Sequence, residues 1–221
     1  MGRVEKLTAI YCALQKVFGK SGWWPAESRL EVMLGAVLTQ NTAWSNVEKA
    51  IANLREQNLL DFAVLQRLEI NELAALIRPS GCFRLKALRI KALLAWLDER
   101  CQGDLARLAS LDTEQLREQL LAVKGIGPET ADAILLYALD RPAFVVDSYT
   151  RRIFSRHGLV EPEIDYQELR DFFTDALPED VEMFREYHAY LVGVAKNWCR
   201  RQNPDCAHCP LRIFLEQDFY E

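Results

Sequence analysis

Apolar residues recur along almost the whole chain at the three-and-four spacing of a helix, and nowhere with the sustained alternation of a half-buried strand. Leu7, Ile10, Tyr11, Leu14, Val17 and Phe18 fall on one helical face, as do Leu30, Met33, Leu34, Val37 and Leu38. A chain patterned in this way can bury its stripes only by packing helix on helix, so the expected fold class is all-α. The same spacing predicts further helices over about 45–56, 71–78, 83–100, 112–121, 128–139, 147–157, 165–176 and 180–198. Predicted breaks fall at Gly19 to Pro25, Pro79-Ser80-Gly81, Gly103-Asp104, Gly125 to Pro128, Pro142 and Pro178. With 221 residues there is chain enough for one large or two modest cores.

No stretch approaches the roughly 20 continuous apolar residues of a membrane span. The first residues, MGRVEKLTAIYCALQKVFGK, lack the unbroken apolar centre of a secretory signal. A cytoplasmic, monomeric protein with no membrane partner is expected. The net charge of −5 weighs mildly against nucleic acid, since phosphate binding needs local positive charge. Basic residues nevertheless cluster at Arg84, Lys86, Arg89 and Lys91, at Arg151, Arg152 and Arg156, and at Arg200 and Arg201. Each run could be a solvated helix face or a phosphate-facing patch.

The most informative segment runs from Leu120 through Lys124-Gly125-Ile126-Gly127-Pro128-Glu129-Thr130 to Ala131 and predicts helix, tight turn, helix. Gly125 and Gly127 let the backbone turn sharply around Ile126, and Pro128 suits the first position of a helix. The turn would offer amides and a positive helix end to a phosphate, holding DNA without reading its sequence. After the second helix, an apolar run Phe144-Val145-Val146 leads to Asp147 at the start of another helix, a place where aspartate is also a natural cap. Hairpin followed by aspartate resembles the helix-hairpin-helix, Gly/Pro-rich, aspartate superfamily of DNA glycosylases. That resemblance implies that Asp147 is the catalytic carboxylate. A fixed carboxylate can stabilise the positive charge that develops on deoxyribose as the base leaves, and can orient or deprotonate the attacking water. Gly125, Ile126, Gly127, Arg151 and Arg152 become candidate DNA contacts. Members that also cut the DNA backbone carry a lysine nucleophile in the second hairpin helix. Glu129 stands there, and a carboxylate forms no imine.

Trp23-Trp24-Pro25, Leu34-Gly35-Ala36-Val37-Leu38-Thr39-Gln40-Asn41-Thr42, Arg78-Pro79-Ser80-Gly81 and Val145-Val146-Asp147 narrow the likeness, over about residues 20–150, to 3-methyladenine DNA glycosylases of the endonuclease III type. A flipped base needs aromatic faces to replace lost stacking, and tryptophan is the best face for a cation such as an alkylated purine. The resemblance implies that Trp24 and Trp44 sandwich the base, with Trp23 beside them, although any of the three could equally be a core residue. Gln40 would fill the space left by the flipped nucleotide, or be no more than a polar residue at a helix end. Cys82 or Phe83 would wedge between bases, Phe83 being the better stacking group.

Three of the six cysteines crowd into Cys199-x6-Cys206-x2-Cys209, a spacing that suggests a metal or cluster site. It resembles the first three ligands of the iron-sulfur loop of endonuclease III, but the fourth position holds Leu215. The three thiolates could hold a [3Fe-4S] cluster, a [4Fe-4S] cluster with one unusual ligand, or a zinc ion recruiting His208, or they could be an eroded remnant. His157 and His188 match no ligand pattern and are expected on the surface or in packing.

The implied architecture is a helical barrel over about 25–138, with its hairpin at about 116–138, and a second lobe from 1–24 and 139–221 carrying the cysteine loop at 199–209. The cleft would lie between them. The expected activity is monofunctional removal of an alkylated purine from double-stranded DNA. An oxidised-pyrimidine glycosylase with lyase activity and a catalytically silent DNA-binding module are the rivals. Adenine excision from mispairs fits less well, because Gly35 or Ala36 stands where those enzymes carry an acid.

Overall fold

The computed structural model describes residues 2–215; Met1 and residues 216–221, which the expected second lobe includes, lie outside the described residues. Among the described residues the structure is all helical, without a strand. In chain order the α-helices are α1 (Arg3–Phe18), α2 (Arg29–Leu38), α3 (Trp44–Glu56), α4 (Phe62–Arg67), α5 (Ile70–Leu76), α6 (Phe83–Cys101), α7 (Thr113–Leu121), α8 (Pro128–Ala133), α9 (Ser148–Arg156), α10 (Tyr166–Thr174) and α11 (Val181–Asn197). No helix among the described residues is long and apolar enough to cross a membrane.

The chain divides into two compact units, Ala26–Arg141 and the combination of Met1–Pro25 with Pro142–Glu221. In the first unit α2 is the central rod. Every residue from Glu31 to Leu38 is buried, with α3, α6, α8 and the segment Ile134–Ala138 packed around it. The acid within that buried stretch, Glu31, is met by Arg55 at 2.6 Å. In the second unit α11 packs on α1 and α9 around an aromatic core. Phe144 stacks on Phe173 with ring centroids 4.2 Å apart and meets Phe184 and Tyr187 edge-on. The Tyr187 hydroxyl donates to the Leu7 carbonyl at 3.0 Å, tying α11 to α1. The apolar run before Asp147 is therefore an anchor that fixes where α9 begins.

Helix starts follow their caps. Asp112, Asp147, Asp165 and Asp180 each accept the backbone N–H three residues on, satisfying one of the amides a helix start leaves without a partner. Two departures from the sequence reading concern short elements. The six-residue α4, capped by Asp61, was not legible, because it is under two turns long and shows no periodicity. The helix expected over 128–139 is α-helical only to Ala133 and continues as a π-helical turn, Ile134–Ala138, in which Leu139 N–H reaches the Ile134 carbonyl at 3.1 Å. Every residue from Ala131 to Leu139 is buried, so apolar spacing carries no phase that could have shown the wider turn.

Candidate active site

Asp147 sits where the buried run Ala143–Val146 meets α9. Its Oδ1 accepts from the Thr150 amide at 2.7 Å and from the Thr150 hydroxyl at 2.9 Å. That leaves Oδ2 turned toward His188, whose Nε2 lies 3.8 Å away. The two oxygens thus divide their work: one caps the helix, and the other, on a side chain 13% exposed, faces a buried imidazole. Burial alone would raise the Asp147 pKa. The nearby imidazole of His188 and the two bonds from Thr150 outweigh it and hold the carboxyl below its usual range. A carboxylate kept ionised in a largely desolvated place is well made to stabilise a developing cation.

His188 corrects the expectation of a packing or surface histidine. It is buried on α11 and is the ring that Asp147 Oδ2 faces. The two are 41 residues apart in sequence, and only the packing of α11 on α9 brings them together.

The hairpin is formed by α7, the turn 122–127 and α8. Gly125 takes φ +90°, and a Cβ there would come within 2.4 Å of Arg89 Cγ, so the position admits only glycine without strain. A buried ion pair locks the two helices together, with Arg117 Nε 2.7 Å from Asp132 Oδ1. Ile126 requires a correction as a candidate contact. Its side chain is 4% exposed and its amide donates to the Val123 carbonyl at 3.0 Å, so it shapes the turn from within. Gly125 is exposed and Gly127 partly so.

Gln40 lies two residues past the end of α2 and is bound to the hairpin. Its amide nitrogen donates to the Gly125 carbonyl at 3.1 Å and the Thr130 hydroxyl at 2.9 Å, while its oxygen accepts from Arg89. The segment carrying it is pinned from below by Lys86, 1% exposed, which donates to the Leu38 carbonyl, the Thr42 hydroxyl and the Ser80 carbonyl at 2.7, 2.6 and 2.7 Å. Lys86 therefore joins two of the motifs singled out in the sequence. Burial lowers its pKa to about 8. Within the basic run on α6 only Arg84 is exposed, since Lys86 is buried, Arg89 holds Gln40, and Lys91 donates to the carbonyls of Leu65, Gln66 and Leu68. The run is mainly internal scaffolding.

The aromatic candidates fall in both units: Trp23 and Trp24 in one, Trp44 in the other. All three are partly exposed. Lys196 lies over the Trp23 ring at 5.6 Å, and Trp44 opens α3 with its indole N–H donating to Glu48 at 2.8 Å. Cys82 takes a left-handed conformation and is exposed, whereas Phe83, at the first turn of α6, is half-buried.

The cysteine loop wraps the C-terminal end of α9. Arg152, stacked over Tyr149, donates to the Cys199 carbonyl at 2.9 Å. Arg156 reaches the Arg200 and Arg201 carbonyls at 2.7 and 3.0 Å and Cys199 Sγ at 3.4 Å. Arg152 is thus occupied in holding the loop, and only Arg151 of the neighbouring pair is fully exposed. Cys199, Cys206 and Cys209 line one partly open pocket, and Leu215 lines it too. Burial, with the other two thiols nearby, pushes the Cys209 thiol up. His208 points away: its side chain is 78% exposed and pairs with Asp205 at 2.8 Å.

A helical hairpin locked by a buried ion pair, followed by a half-buried aspartate capping the next helix, defines a class of DNA-repair fold. The sequence matches the HhH-GPD superfamily of base excision DNA repair proteins over residues 34–179. A protein of Methanocaldococcus jannaschii described as a candidate DNA repair glycosylase is 44% identical over 214 residues, 96% of each chain. Endonuclease III of Thermotoga maritima is 30% identical over 185 residues, covering 84% of this chain and 81% of its own. Among solved structures, the 3-methyladenine DNA glycosylase of H. pylori bound to 1,N6-ethenoadenine superposes with a TM-score of 0.74 at 30% identity, covering 89% of this chain and 98% of that one. The chain belongs to the HhH-GPD superfamily of base excision DNA repair proteins. That membership makes it an enzyme of the DNA glycosylase class.

Proposed function

We propose that the chain is a monofunctional glycosylase that removes alkylated purines such as 3-methyladenine from double-stranded DNA. One observation carries the reading. Asp147 is held ionised by His188 and Thr150, and the second hairpin helix, Pro128–Ala133, presents Glu129 and no lysine. The enzyme is thereby equipped for water attack and not for imine formation. The bond between the sugar C1′ and the base nitrogen breaks first, its electron pair leaving with the base. An N3- or N7-alkylated purine is cationic and departs neutral, so no strong acid is required. Water then adds its oxygen to C1′ and passes its proton to the carboxylate of Asp147, which has stabilised the cation and oriented the water. Likeness to a glycosylase solved with an ethenoadenine base supports a purine substrate. Trp24 and Trp44 are the candidates to stack the flipped base; Gly125, Gly127, Gln40, Phe83 and Arg151 are the candidates to meet DNA.

Likeness to endonuclease III favours one rival, excision of oxidised pyrimidines with strand cleavage. The deciding experiment measures bases released from methylated duplex DNA, alongside borohydride trapping on an abasic duplex. Release of 3-methyladenine without a trapped adduct is expected. A trapped adduct with release of oxidised pyrimidines would transfer the assignment to the rival.

Three cysteines and the buried ring of His157, whose Nδ1 has no hydrogen-bond partner, line one pocket, a donor set suited to an iron–sulfur cluster that Cys199, Cys206 and Cys209 would hold. When bound, it would cross-link the loop at 199–209. Arg152 and Arg156 orient that loop on α9 whether or not it is loaded.

A further inference from the structure

The cysteine cavity has a polar wall that the ligand spacing in the sequence does not include. His157, the C-cap of α9, lines it together with Cys199, Cys206 and Cys209. It is 6% exposed, and its Nδ1 is buried without a hydrogen-bond partner. Buried polar atoms are nearly always paired, so an orphaned ring nitrogen on a residue that lines a pocket asks for a partner. The ring lies beside the backbone of Phe214, the residue before Leu215, where a fourth cysteine would fall.

The spread of these groups indicates what kind of occupant fits. Among the described residues, no three His, Cys, Asp or Glu side chains converge as one metal ion requires. Ligands of a tetrahedral ion, each about 2.3 Å from it, stand within about 4 Å of one another. A cluster takes one protein ligand at each iron and spreads them around its faces, so groups on different walls of one pocket can each reach it. His208, the other imidazole of the loop, is exposed and paired with Asp205.

We propose that His157 supplies, through Nδ1, the fourth protein ligand of a four-iron cluster whose other ligands are Cys199, Cys206 and Cys209. The assignment rests on the cluster reading of the loop and is independent of the base excised. It explains how the loop dispenses with a cysteine at position 215: the ligand comes from the end of α9. A neutral imidazole in place of a thiolate also makes the cluster one charge less negative.

The test uses full-length protein purified or reconstituted without oxygen, with iron and sulfide analysis and pulsed electron paramagnetic resonance of the reduced form. The wild type should hold four irons and show one strongly coupled ring nitrogen. His157→Cys should keep four irons and lose the coupling, His157→Ala should fall to three irons, and His208→Ala should match the wild type. A wild-type cluster without a coupled nitrogen, or coupling that survives in His157→Ala, would overturn the His157 assignment and leave the cluster standing. Absence of iron from the reconstituted wild type would overturn both. Base release, measured on the same samples, reports separately on the proposed reaction.

Discussion

Replacing Lys86 by methionine keeps the length of a buried side chain and removes its charge. The perturbation can be read by its pH dependence rather than by a single stability. Folding takes the Lys86 pKa from its ordinary 10.5 to about 8. At 1.36 kcal/mol for each tenfold change in proton affinity, holding the charged form inside costs about 3 kcal/mol. Below pH 8 both folded and unfolded chains carry the proton and the whole penalty is present. Between pH 8 and 10.5 the unfolded chain binds more protons than the folded one, so the contribution of this group to stability rises with pH. It should amount to about 2 kcal/mol between pH 8 and 9.5, or about 4–8 °C in Tm for a chain of this size. Urea unfolding of wild type and Lys86→Met across that range isolates the effect, because titrations elsewhere cancel in the difference. The variant should also be weaker at neutral pH, since the Leu38 and Ser80 carbonyls and the Thr42 hydroxyl lose their donor. Profiles that stay parallel from pH 8 to 9.5 would refute the account of Lys86 as a charged residue held inside at a cost.

Three further outcomes follow from named contacts. Asp147→Asn keeps an oxygen for the Thr150 amide and should melt close to wild type while losing excision by a factor on the order of 100 to 1,000. Asp147→Ala should lose both excision and about 1 kcal/mol of cap; near-normal single-turnover release by the Asn variant would remove Asp147 from the chemistry. His188→Leu takes away the group that most strongly lowers the Asp147 pKa and leaves burial to raise it. The ionised form is the active one and is lost as pH falls, so the acid limb of the rate profile should move to higher pH; an unmoved limb would show that His188 does not set it. Asp132→Ala takes from the buried Arg117 guanidinium the carboxylate it meets at 2.7 Å, and should destabilise the first unit by about 3–5 kcal/mol. A loss under 1 kcal/mol in calorimetry would contradict the pair's role in locking the hairpin.

What the sequence could reveal was whatever is written within a few neighbouring residues. Long amphipathic helices, the glycines and proline of the hairpin, Asp147 before a polar helix start and the clustered cysteines are all local strings. The helix α4 and the π-helical turn escaped because one is too short to show a period and the other is apolar all round. The partners of the site escaped for a different reason. His188 lies 41 residues from Asp147, Lys86 lies 48 from Leu38, and His157 lies 42 from Cys199. Nothing about a lone histidine or lysine announces which distant atom it will meet. Ile126 differs in the opposite sense: the family resemblance made it a candidate DNA contact, whereas the turn folds its side chain inward to pack.

Helix α9 joins two places that are chemically unrelated. Asp147 caps its beginning and His157 its end, ten residues later, so about 15 Å of rigid rod separates carboxylate from cysteine loop. A rod of that length is a pointer. Tilting it by about 4° at the loop swings the far tip by about 1 Å, and a misplacement of that size can slow a reaction on the order of 100-fold. On the proposed mechanism, whatever loosens the grip of Arg152 and Arg156 on the loop would therefore reach the sugar as an error of aim, with Asp147 still present and ionised.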